Sequence, residues 1–105
     1  VEFARVARLE ELPLNRGRLV RLGGCDISLW RVPQGVYAIG NVCPHQHFSM
    51  LHQGSLSGIE VSCPMHGWTF ALDTGRHVDG SGRVRCFAVR VTEGVVEVEV
   101  PGEAW

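Results

Sequence analysis

A chain of 105 residues is long enough for one compact domain and too short for two of ordinary size. Its net charge of −1 gives no electrostatic case for nucleic acid or an anionic membrane, and no apolar run approaches the ~20 residues of a membrane span. No charged-then-apolar start reads as a signal peptide, so a cytoplasmic location is expected.

In chain order, Val1 to Ala7 alternates loosely and predicts a first strand. Arg8 to Leu12 reads as a short helical turn stopped by Pro13. Gly17 to Leu22 predicts a strand, Gly23-Gly24 a turn, and Asp26 to Val32 a strand. That third strand places Ile27 and Leu29 on one face and Ser28, Trp30 and Val32 on the other. Pro33-Gln34-Gly35 is a hairpin turn, and Val36 to Val42 returns as a strand ending at Cys43. Leu56 to Ser62, turning at Gly58, reads as a hairpin that feeds Cys63. Trp68 to Leu72 leaves as a strand into the tight turn Asp73-Thr74-Gly75. Val84 to Val91 predicts one continuous strand. After Thr92-Glu93-Gly94, Val96, Val98 and Val100 alternate with Glu97 and Glu99, the cleanest half-buried strand of the chain. Many short strands with frequent turns predict an all-β antiparallel sandwich or barrel. The segment from about 41 to 72 lies between strands at both ends and reads as a small sub-domain inserted at one end of that base.

This segment carries the chemistry. Cys43-Pro44-His45 and Cys63-Pro64-Met65-His66 each present a thiol followed closely by an imidazole, the two best protein donors for soft and borderline metals. A proline after each cysteine forces a turn where the loop must curl round a ligand. Two similar loops suit a binuclear iron centre with one cysteine per loop on one iron and one histidine per loop on the other. They suit a tetrahedral Cys2His2 zinc site on spacing alone.

The run Cys43-x-His45, 17 residues, then Cys63-x-x-His66 resembles the signature of the Rieske [2Fe–2S] family. Cys63-Pro64-Met65-His66-Gly67-Trp68-Thr69-Phe70, followed by Asp73-Thr74-Gly75, is similar to the second cluster loop and following hairpin of Rieske ferredoxins and oxygenases. The resemblance implies one [2Fe–2S] cluster per chain, bound by Cys43, His45, Cys63 and His66, in stacked antiparallel sheets with the cluster at the tip. It implies an electron carrier without catalytic residues, passing electrons from a flavin reductase to a terminal oxygenase. The alternative is the small subunit of an assimilatory nitrite reductase, whose partner is a large subunit. A zinc-binding interaction module is a third reading, from another class. Rieske oxygenases carry a mononuclear iron site in a second, larger domain, for which 105 residues leave no room, so this chain is not expected to be the oxygenase itself. High-potential Rieske proteins of cytochrome bc complexes have a disulfide where this chain has Phe48 and Met65, and hydroxyl residues where it has Trp68 and Phe70. A potential near the low end of the Rieske range, about −150 mV, is therefore expected, with Thr69 the one uncounted hydroxyl.

The remaining groups receive plainer readings. Cys25 and Cys86 read as free, buried small hydrophobes. His52 and His77 read as solvated loop histidines. Trp68 and Phe70 read as core and cluster shield. Arg76, Arg83 and Arg85 read as a solvated face. The segment Phe48-Ser49-Met50-Leu51, with His47, is expected to dock a redox partner.

Overall fold

The computed structural model describes residues 2–42, 49–64, 67–80 and 82–101. Its strands are β1 Phe3–Arg8, β2 Gly17–Leu22, β3 Cys25–Val32, β4 Gly35–Gly40, β5 Ser55–Ser57, β6 Glu60–Ser62, β7 Thr69–Ala71, β8 Cys86–Phe87, β9 Val89–Thr92 and β10 Val95–Glu99. Two 3-10 turns, η1 Leu9–Glu11 and η2 Leu51–Gln53, are the helical pieces among the described residues. The strands form three antiparallel sheets, ordered β1-β10-β9, β2-β3-β4-β8 and β5-β6-β7. The all-β antiparallel architecture expected from the turn spacing is the one observed.

β3 explains why the sheets stack. Its two faces are both buried, so it reads as an apolar run rather than an alternation. Ile27 and Leu29 enter one core with Ala7, Leu12, Val96 and Val98, beneath the β1-β10-β9 sheet. Trp30 and Val32 enter the other with Leu51, Val61, Cys63 and Phe70, beneath the β5-β6-β7 sheet. The central sheet thus separates two hydrophobic cores. Arg31, at the end of the Ile27–Leu29 face, donates through Nη1 to the carbonyls of Leu9 (3.1 Å) and Leu12 (3.2 Å). The Leu12 carbonyl is one that the short η1 turn leaves open, and the Leu9 carbonyl also accepts from Leu12 N–H at 3.1 Å.

The tight turns are as the sequence predicts. Gly23 and Gly24, with φ of 57° and 79°, both take the left-handed region that a two-residue hairpin between β2 and β3 requires. Val96 and Val98 are fully buried, while Glu97 accepts from Arg90 at 2.8 Å on the β9–β10 ladder.

One strand prediction fails. Val84 to Val91 is not a single strand. Its β8 part pairs with β4 in the central sheet, and its β9 part pairs with β10 in another. Ala88 is where the chain changes sheets: its N–H donates to the Glu99 carboxylate at 3.1 Å, and its carbonyl accepts from Glu99 N–H at 2.9 Å. Its alternating pattern carried no mark of this crossing, because Val84 and Phe87 fill different cores.

Candidate metal centre

The second loop is the connection between β6 and β7. Ser62 and Thr69 are the last strand pair, and residues 63–68 lie between them. Cys63 N–H donates to Trp68 C=O at 2.7 Å, and Gly67 N–H donates back to Cys63 C=O at 3.2 Å. These backbone bonds close the loop on itself, and Gly67 adopts a φ of 71° that a side chain would resist. Cys63 is 2% exposed, outside any disulfide, and packs in the core with Leu51, Val61 and Phe70. The following chain folds over the same hairpin: Val78 N–H donates to Thr69 C=O at 2.9 Å, and His77 stacks flat on Trp68 with ring centroids 4.2 Å apart.

The first loop leaves after β4 and returns through Ser49. Val42 and Ser49 form an antiparallel bridge across its base. Asn41 is fully buried beside it. Its Nδ2 donates to Ser49 Oγ at 2.8 Å, and Ser49 Oγ donates on to Asp26 Oδ2 at 2.6 Å. The same amide lies 3.0 Å from His52 Nδ1, and its Oδ1 accepts from His52 N–H at 2.6 Å. The Ser49 hydroxyl holds the Asp26 carboxyl below its ordinary pKa, with Arg21 at 3.1 Å acting in the same direction.

Gly54 joins the two loops. A Cβ there would overlap the Ser62 carbonyl on β6 and crowd the Leu51 carbonyl on η2. A glycine therefore lets the segment leaving the first loop lie against the strand that enters the second.

Of the four expected ligands, Cys63 is described, and it sits at the closed base of its loop. Cys43, His45 and His66 lie outside the described residues, as do His47, Phe48 and Met65. A centre with two thiolate and two imidazole donors fits what is described: a buried thiol outside any disulfide, and two loops whose bases meet in one core.

Several plainer readings change. His52 is half-buried and bonded to Asn41, and His77 is half-buried on Trp68, so neither is a solvated loop histidine. Leu51 is fully buried and Ser49 bonds inward, so this part of the expected docking segment serves the interior. Phe70 is core, as expected. Cys25 and Cys86 are free and half-buried, and burial pushes both thiols above their ordinary pKa. Thr69 Oγ1 is engaged, 2.9 Å from Ser62 Oγ and 3.3 Å from the Gly67 carbonyl. The sequence reading missed Asn41 and gave Ser49 only a place in the docking segment. The one available signal was a polar residue closing the apolar run of β4.

Known proteins agree with this geometry. A Rieske [2Fe–2S] domain profile matches residues 2–91. Ferredoxin CarAc of Metapseudomonas resinovorans is 35% identical over 82% of this chain and 79% of its own length. Oxidoreductase NdmD of Pseudomonas putida is 33% identical over 93% of this chain, which spans 19% of that protein. The nitrite reductase [NAD(P)H] large subunit of Klebsiella oxytoca is 34% identical over 89% of this chain and 10% of its own length. The solved ferredoxin of carbazole 1,9a-dioxygenase from Nocardioides aromaticivorans IC177 superposes with a TM-score of 0.88 at 27% identity, covering 96% of this chain and all of that one. This chain therefore belongs to the Rieske [2Fe–2S] domain family, and its cofactor is a [2Fe–2S] cluster.

Proposed function

We propose that this chain carries single electrons from a reductase to a terminal oxygenase. Cys43 and Cys63 hold one iron of the cluster, and His45 and His66 hold the other. The bound cluster supplies one-electron chemistry at a potential that the protein tunes. The protein's own part is to hold the ligands still and exclude water on the buried side. The observation that carries this reading is Cys63, outside any disulfide and 2% exposed at the base of a loop closed by its own backbone. Likeness to the carbazole dioxygenase ferredoxin supports an oxygenase as the electron acceptor.

Residues 1–105 act as one domain, with about 41–72 as the cluster-binding sub-domain inserted in the β base. The separate β5-β6-β7 sheet supports that division. No helix among the described residues is long and apolar enough to cross a membrane. A cytoplasmic site of action is supported by the free Cys25 and Cys86 thiols, since such thiols persist in reducing compartments. Partners dock at the end that bears the two loops, through a small, transient interface.

Reduction by a flavin reductase and reoxidation by an oxygenase, followed by stopped-flow absorbance, tests the reading. Rapid turnover by both is expected, and a cluster that neither partner reduces nor oxidises contradicts it. The likeness to a solved NADH-dependent nitrite reductase small subunit favours a second reading, in which this chain serves a large subunit. Electron delivery to that subunit, and none to an oxygenase, would decide for it.

A further inference from the structure

We propose that Asn41 is the positioning residue of the first cluster loop, clamping residues 43–48 from both ends through one buried side-chain amide. The inference rests on the ligand assignment above, which places Cys43 and His45 in that loop. Asn41 stands two residues before Cys43, and its partners Ser49 and His52 lie just beyond the loop's return.

Every polar atom of Asn41 is used. Its two Nδ2 hydrogens reach Ser49 Oγ and His52 Nδ1. Its Oδ1 takes the His52 N–H. Its own N–H donates to Asp26 C=O at 2.9 Å, and its C=O accepts Leu51 N–H at 3.1 Å. The orientation of the amide is fixed, because a backbone N–H only donates, so the oxygen must face His52. His52 Nδ1 lies 3.0 Å from Nδ2 and 3.3 Å from Oδ1, within reach of both ends of the amide. Ser49, accepting from Asn41, has its own proton free for Asp26, which anchors the clamp to the start of β3.

The arrangement ties the ends of the loop to the fold. The second loop is a hairpin connection with backbone bonds across it, whereas among the described residues β4 pairs with β3 and β8, and the next strand, β5, lies in another sheet. A single bridge, Val42 to Ser49, spans its base among the described residues. A buried, fully bonded amide adds rigidity at that base. Groups that orient metal ligands from behind set both affinity and electronic properties of a centre.

The test compares Asn41→Ala, Asn41→Asp and Ser49→Ala with a control in the other core, Val96→Ala. Each iron-loaded protein is assayed for the EPR line shape of the reduced cluster, its midpoint potential, and the rate of cluster loss to a chelator. Asn41→Asp keeps the shape and the acceptor but loses both Nδ2 donors. It and Asn41→Ala are expected to lose the cluster about tenfold faster or more, with altered EPR and potential. Ser49→Ala should move the same readouts less, and Val96→Ala should leave EPR and potential unchanged. If Asn41→Ala does not fold, Asn41→Asp and Ser49→Ala decide. Unaltered EPR, potential and loss rate in both overturn the clamp. An unaltered protein without a Rieske signal overturns the ligand assignment, and the clamp with it.

Discussion

The two cluster loops are alike in sequence and built differently. The second is closed by backbone bonds between Cys63, Gly67 and Trp68, at the end of a hairpin whose strands pair residue by residue. The base of the first is tied by the Val42–Ser49 bridge and, beyond it, by side chains from Asp26 through Ser49 to Asn41 and His52, gathered from three places in the chain. A loop closed by its neighbours is local and survives most distant substitutions. A loop closed by a side-chain network depends on each member, because a buried polar group that loses its partner bears the full desolvation cost.

The largest effect is expected where both loops depend on one object. Cys43→Ser or Cys63→Ser should abolish the cluster, since the cross-link between the loops goes with it. Absorbance and EPR of the purified variants check this, and a full Rieske signal in either contradicts the assignment. Phe70→Ala comes next. It empties the core beneath the second loop, and a loss of about 3–5 kcal/mol is expected in urea unfolding. Gly54→Ala forces a methyl group between η2 and the β6 backbone, where the loops meet. It should cost about 1–3 kcal/mol and speed cluster loss, and a variant as stable as the unaltered protein would show that this contact is slack.

The acid side of the stability profile separates the loops further. Asp26 has a depressed pKa, set first by the Ser49 hydroxyl and then by Arg21, with burial opposing them. Its contribution is fully present above the unfolded carboxylate value of about 3.9 and is lost as pH falls through the lower, folded value. Urea unfolding from pH 7 down to pH 3 should show a shallower acid decline in Asp26→Asn than in the unaltered chain. An equal decline in both would remove Asp26 from the account. The smallest effect concerns Thr69. Its hydroxyl is already shared with Ser62 and the Gly67 carbonyl, leaving it no further proton to donate to a sulfur. Thr69→Val should therefore move the midpoint potential by less than about 59 mV, the one-electron equivalent of a tenfold change. Voltammetry reads this directly, and a larger fall would make Thr69 a donor to the cluster. The potential of the unaltered chain should itself lie low in the Rieske range, about −150 mV, because Trp68 and Phe70 offer no hydroxyl.

How much of this was legible in the sequence follows the same division. Period-two alternation placed β10, and turn residues placed the β2–β3 and β9–β10 hairpins, because those signals act over a few residues. The second loop was legible for the same reason. The change of sheet at Ala88 was not, since it depends on Glu99 from a later strand. Nor was the role of His52, whose partner lies eleven residues away in a different element. β3 was read as two faces without its consequence, that both faces are covered by other sheets. Side-chain networks and layer order arise from long-range packing, and no local period encodes them.

Pulsed EPR of the reduced protein carrying nitrogen-15 histidine tests the ligand assignment most directly. Two strongly coupled histidine nitrogens are predicted at the cluster, with one lost in His45→Cys and one in His66→Cys. No strongly coupled nitrogen, or two that persist in either variant, would contradict it.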